Sequence, residues 1–220
     1  MRTLIRLVMI ALAAVLLAGC GVTIVNGSGK VITESRKVSN FSAVSFSGLG
    51  DITISQGSTE SLTVEAEDNV MPLIKTEVTN GTCIIRFDTQ DWREMVRPTK
   101  PIRFNLTLKN LTALDFSGAG NILAASLKTG RLTLEVSGVG NVKLERLEAT
   151  ELATTMTGAA NVDIAGQVTK QEVEMSGAGQ YSAGNLNSQT AKITVTGVGG
   201  ATLWARDSLD VTLNGAGSVS

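Results

Sequence analysis

Ser137-Gly138-Val139-Gly140-Asn141-Val142-Lys143-Leu144 is one of seven versions of a single phrase. The opening tetrapeptide recurs as Ser47-Gly48-Leu49-Gly50, Ser117-Gly118-Ala119-Gly120 and Thr157-Gly158-Ala159-Ala160. It returns again as Ser176-Gly177-Ala178-Gly179, Thr196-Gly197-Val198-Gly199 and Asn214-Gly215-Ala216-Gly217. From Gly118 onward the first glycines are separated by 20, 20, 19, 20 and 18 residues. A fixed period of this length marks a solenoid, whose repeats bury their apolar faces only against their neighbours.

The residues around each corner specify the secondary structure. Four positions before the first glycine stand Val44, Leu114, Leu134, Thr154, Val173, Ile193 and Val211. Two positions before it stand Phe46, Phe116, Val136, Met156, Met175, Val195 and Leu213, and the residue between is polar in every copy. Period 2 is the mark of a strand with one buried face. After the corner the alternation resumes through Ile52, Ile122, Val142, Val162 and Tyr181. Each coil therefore reads as strand, glycine corner, strand and a shorter return through segments such as Leu127-Lys128-Thr129-Gly130. Successive coils would stack about 4.8 Å apart as parallel strands. The chiral preference of parallel crossovers favours a right-handed coil. The fold class is all-β, a right-handed parallel β-helix.

The corners need residues that accept φ > 0 or close backbone approach, which glycine does at least steric cost. Phosphate cradling would require a strand-to-helix setting and a different spacing. Asp51, Asn121, Asn141, Asn161 and Gln180 follow the corners, giving way to Gly200 and Ser218. Stacked amides of this kind form hydrogen-bonded ladders. A calcium-binding β-roll is excluded, since it requires a nine-residue repeat with Asp at a fixed place.

The first 19 residues read as an address. Arg2 and Arg6 precede an apolar run from Leu7 to Leu17 that is too short for a confident membrane span. The run ends in Leu17-Ala18-Gly19-Cys20, which resembles the bacterial lipoprotein processing box. That resemblance implies diacylglycerol on the Cys20 thiol, cleavage before it and acylation of the new amino terminus. Gly21 rather than Asp follows, so in a Gram-negative host the expected destination is the outer membrane. Two or more acyl chains make such an anchor stable. Residues 20–29 are then the lipidated cysteine and a short tether, and residues 30–220 one β-helix domain.

Cleavage removes two arginines and no acids, leaving 17 basic against 20 acidic residues and a net charge of −3. This balance carries no nucleic-acid footprint. Cys83 is the other cysteine, so no intrachain disulfide is expected, and its alternation with Ile85 and Phe87 turns it into the core. The chain has no histidine, so zinc, haem and triad chemistry lose their usual ligands and bases. No cofactor or metal is expected.

Between Gly48 and Gly118 the period lapses for 70 residues. Strand-like stretches persist at 62–66, 83–87 and 102–108, and Asn80-Gly81 is a strong hairpin signal. Residues 50–117 are thus the irregular part of the domain. A polar loop over 88–101 carries Trp92, Arg93, Arg97 and Lys100. Loops projecting from solenoids often bind, and Trp92 beside arginines suits stacking on a sugar or contact with an anionic glycan. The alternative is that Trp92 caps one end of the helix.

The repeated corners, Gly29-Lys30-Val31, the stretch Val38-Ser39-Asn40-Phe41 leading to Val44-Ser45-Phe46-Ser47-Gly48, and the leader together carry a family resemblance. The chain resembles the bacterial putative auto-transporter adhesin head domain, also called the GIN domain and formerly a domain of unknown function, over about residues 30–220. The resemblance implies a right-handed β-helix in secreted or lipid-anchored bacterial proteins and brings no catalytic residues with it. The expected function is a lipid-anchored envelope protein with an adhesin-like or scaffolding role, held to the membrane and meeting a glycan or another envelope protein. One alternative is a carbohydrate-active enzyme using Asp115 and Glu135, which occupy the same position in successive coils; carboxylates about 5 Å apart are the arrangement of retaining glycosidases. The other is a structural subunit that self-associates end to end through an open strand edge.

Overall fold

Alternating buried and exposed side chains build seventeen strands and one 3-10 turn from residues 23–88 and 94–220, which the computed structural model describes. The first nine strands are β1 (Thr23–Asn26), β2 (Val31–Arg36), β3 (Ala43–Ser47), β4 (Asp51–Gln56), β5 (Ser61–Glu67), β6 (Ile74–Thr79), β7 (Thr82–Phe87), β8 (Glu94–Arg97) and β9 (Arg103–Leu108). They are followed by β10 (Ala113–Phe116), β11 (Ala119–Ala124), β12 (Leu127–Val136), β13 (Val139–Met156), β14 (Ala159–Met175), β15 (Gln180–Val195), β16 (Gly200–Leu213) and β17 (Ser218–Val219).

From β10 onward the chain is a parallel β-solenoid. Ala119 lies beside Val139, Val139 beside Ala159, Asn161 beside Gln180, Gln180 beside Gly200 and Gly200 beside Ser218. These registers reproduce the glycine spacing step for step. Leu114, Leu134, Thr154, Val173 and Ile193 form one inward column, and Phe116, Val136, Met156, Met175 and Val195 another. The expected return turn is itself a strand. Leu127–Arg131 pairs with Leu147–Glu151, because Leu127 and Leu147 are both buried and give this side its own core column.

The glycine columns have a steric cause more than a torsional one. A β-carbon on Gly138 would lie 2.2 Å from the Gly118 carbonyl oxygen of the preceding coil. Positive φ occurs at the second glycine of the first three corners only, 132° at Gly50, 147° at Gly120 and 143° at Gly140. The first glycine is required because neighbouring backbones stack there without room for a side chain.

Residues 57–110 explain the 70-residue lapse. After β4 the chain passes beneath its own first coil: β7 pairs in parallel with β3, and β9 in parallel with β4. β5 is antiparallel to β9, and β2 is antiparallel to β5. The β6–β7 hairpin turns at Asn80 (φ 51°) and Gly81 (φ 75°), with Thr79 opposite Thr82. The first repeat is therefore an inner coil. Phe46 marks the seam, with its ring centroid 5.3 Å from that of Phe104 below and 6.0 Å from that of Phe116 above. Cys83 lies fully buried in this cap, and burial pushes its thiol up to about 11.

Candidate functional site

Three features of this scaffold offer chemistry. The first is the column after the glycine corners. Asn121 donates its amide to Asp51 Oδ1 at 2.7 Å, Asn141 donates to Asn121 Oδ1 at 2.7 Å, and Asn161 donates to Asn141 Oδ1 at 3.2 Å. The amides are consumed by one another, so the ladder holds coils together. In a column before the corners Asp115 and Glu135 are register partners, as their spacing predicts. They border a shallow 240 Å³ depression, where Ser45 Oγ donates to Asp115 Oδ2 at 2.8 Å. Neither acid enters an ion pair among the described residues.

The second feature is a clamp at the cap end. Glu67 is inaccessible to solvent, and its carboxylate accepts from the Gly29 N–H at 2.6 Å, the Thr99 N–H at 2.8 Å, the Thr99 hydroxyl at 2.5 Å and the Lys100 N–H at 3.3 Å. The Thr99 hydroxyl, followed by backbone N–H groups of Thr99, Gly29 and Lys100, holds this carboxyl below the usual range against the opposing effect of burial. The Ser28 hydroxyl donates to Asp68 Oδ1 at 2.6 Å, and the Asn69 amide donates to the Asn26 carbonyl at 2.7 Å. β1 adds a parallel pairing with β8. Two expectations change here. Thr23–Asn26, within the expected tether, is a strand fastened to the body, and Glu94–Arg97, within the expected loop over 88–101, is its partner strand.

The third feature is a groove of about 510 Å³ along the return side, spanning five strands. Its floor is the column Thr129, Ala149, Val168 and Ser188, small side chains that let the surface sink. One wall is the adjacent column Lys128, Glu148, Gln167, Asn187 and Trp204. Thr150, Thr169 and Gln189 line the other side. Lys128 Nζ meets Glu148 Oε1 at 2.7 Å, and Arg206 Nε meets Asp207 Oδ1 at 2.8 Å, so these charges are paired locally.

Trp204 is 42% exposed and is placed by a register shift: Gly184, Asn185 and Leu186 separate Ala183 from Asn187, whereas their partners Leu203 and Trp204 are adjacent. Its carbonyl accepts from Ser188 Oγ at 2.5 Å and from Gln171 Nε2 at 3.3 Å. Gln171 occupies a column of Leu132, Leu152 and Ala191, yet it is fully buried and accepts from the Tyr181 hydroxyl at 3.3 Å. Burial pushes the Tyr181 phenol far above its ordinary value. A polar trio inside an apolar core thus fixes the backbone of the groove's aromatic.

Of the expected binding and lipidation residues, only Arg97 and Lys100 lie among the described residues. Cys20, Trp92 and Arg93 lie outside the described residues. Arg97 is exposed at the end of β8, and Lys100 is exposed while its N–H joins the Glu67 clamp. Trp204 was not singled out in the sequence reading. Its signals were the 18-residue final step and a tryptophan in a chain with only two. Among the described residues no group of three or more Cys, Asp or Glu side chains is arranged to hold a metal ion.

The sequence profile described as "Putative auto-transporter adhesin, head GIN domain" matches residues 40–220. Among solved structures, a putative adhesin from Bacteroides fragilis is 24% identical, with a TM-score of 0.81, covering 89% of this chain and 98% of that one. A putative lipid binding protein from Parabacteroides distasonis is 18% identical with a TM-score of 0.72, covering 90% and 100% of the two chains. A putative adhesin from Parabacteroides merdae is 18% identical with a TM-score of 0.62, covering 90% and 99%. At these identities the likeness is one of fold. No curated protein matches the chain.

Proposed function

Since the chain belongs to the family of putative auto-transporter adhesin head GIN domains, we propose that it is a lipid-anchored adhesin of the bacterial cell envelope that acts by binding rather than by catalysis. The observation that carries this reading is the fastening of the cap end. β1 begins three residues after Cys20 and is tied down by β8 and Glu67. An acyl anchor at Cys20 would hold the cap close to the membrane. The regular coils, each adding about 4.8 Å, would present their lateral faces to partners. The leader ending in Leu17-Ala18-Gly19-Cys20 supports the anchor, and in a Gram-negative host Gly21 favours the outer membrane.

Asp115 and Glu135 serve as a solvated acidic face in this reading, with Ser45 relieving one of them. The test is fractionation of cells producing the full chain and its Cys20→Ser variant, joined to adherence of the intact cells to host-cell or bacterial surfaces. The native chain is expected in the membrane fraction, and the variant in the soluble fraction with adherence lost. A native chain recovered in the soluble fraction would overturn the anchor. Adherence abolished by the pair Asp115→Asn and Glu135→Gln would favour the enzymatic alternative.

A further inference from the structure

We propose that the groove on the return side binds a neutral polysaccharide, laid along the solenoid axis with one sugar ring on the face of Trp204. The proposal deepens the adhesin reading and rests on it for its biological setting. Three observations carry it.

The first is shape. The groove crosses five strands, hence about 19 Å of solenoid at the usual strand spacing. Its floor repeats small side chains from coil to coil, so the trough is continuous and suits an extended polymer better than a compact ligand.

The second is chemistry. The open polar groups are uncharged: hydroxyls of Thr150 and Thr169 and amides of Gln167, Asn187 and Gln189, none of which makes a side-chain hydrogen bond among the described residues. An amide offers two donors and one acceptor group, and a hydroxyl offers both roles. Together they match the vicinal hydroxyls of a sugar chain. Lys128 and Glu148 neutralise one another, and Arg206 is paired with Asp207. Neither an anionic glycan nor an acidic peptide finds an unpaired cation in this wall.

The third is preorganisation. The carbonyl of Trp204 is fixed by Ser188 and Gln171, which are 2% and 0% exposed. Tyr181 holds Gln171 in turn. Placing these three polar side chains in a largely apolar core makes sense if the backbone that carries the aromatic above them must be held still. With this backbone already fixed, only the side-chain torsions of Trp204 remain to be ordered when a ligand stacks on its ring.

The experiment is native affinity electrophoresis of the full chain in mild detergent, through gels containing laminarin, galactomannan or soluble starch, with alginate as the anionic probe. Retardation by at least one neutral polymer and not by alginate is expected. Trp204→Ala should weaken that retention about tenfold or more, whereas Trp204→Phe should stay within about threefold because the aromatic face survives. Gln189→Ala should fall between them. Trp204 is exposed, so thermal melts of its variants should overlay that of the native chain. Retention that survives Trp204→Ala, retention by alginate alone, or no retention by any neutral polymer overturns the proposal. The adhesin reading fails separately, through the fractionation and adherence tests above.

Discussion

Residues 113–220 and residues 23–110 bury similar apolar stripes by opposite routes. In the first region each strand lies on the one written about 20 residues earlier, so the inward columns beside the corners repeat mostly apolar residues from coil to coil. In the second, β7 and β9 slide beneath β3 and β4, and antiparallel strands β2, β5 and β6 close the end. A solenoid end exposes unpaired backbone and apolar side chains. Building the cap from a later segment covers that end without breaking the register of the first coil. The opposite face shows what the cap prevents. In β16, Leu209, Val211 and Leu213 are nearly half exposed, although their partners Ala191, Ile193 and Val195 in β15 are buried.

Phe46 touches both regions, so its removal should have the largest effect. Phe46→Ala is expected to cost about 4 kcal/mol through lost burial and an unfilled cavity, read from urea denaturation by tryptophan fluorescence. A cost confined to one of two separate transitions would show that cap and solenoid unfold independently.

Gly138→Val tests stacking in the regular region alone. The added β-carbon meets a backbone oxygen that cannot swing aside, and about 3 kcal/mol is expected from forced separation of two coils. Gly130→Ala is its control, with no heavy atom within 4 Å of the new methyl group, and should change stability by less than about 0.5 kcal/mol.

The amide ladder is weaker. Asn141→Ala removes one rung at each of two interfaces and should cost about 1 kcal/mol, since exposed hydrogen bonds exchange with water.

Glu67 places one pH dependence in the cap. Its folded carboxyl is depressed, so its contribution is fully present above the ordinary glutamate value of 4.5. It is lost as pH falls through the lower folded value. Denaturation midpoints followed as the pH is lowered from above to below the ordinary glutamate value should decline more steeply for the native chain than for Glu67→Gln. Equal slopes would remove the clamp from the account.

Much of the regular region was legible because stacking converts sequence period directly into neighbours. Val44, Leu114 and Leu134 reveal a buried column without any folding calculation, and Asn121 with Asn141 reveals the ladder. The hairpin at Asn80-Gly81 was legible for a local reason, the positive φ required at both residues. The pairing of β3 with β7 was not, because non-local parallel contacts leave no period. The return side passed for a turn because each copy offers a single inward anchor, Leu127 or Leu147, flanked by polar residues. The groove was hidden for a related reason. Thr129, Ala149, Val168 and Ser188 share small size rather than chemical type, and concavity arises only when they stack. Trp204 entered the wall through a register shift, which a repeat alignment anchored on the glycines passes over.

Hydrogen exchange read by mass spectrometry on the native chain tests the threaded cap most directly. With β7 on one side and β10 on the other, peptides covering β3 should be protected as strongly as those covering β13, deep in the regular stack. Exchange of β3 as fast as that of an open edge strand would contradict the account, because the first repeat would then be the end of the solenoid rather than its second layer.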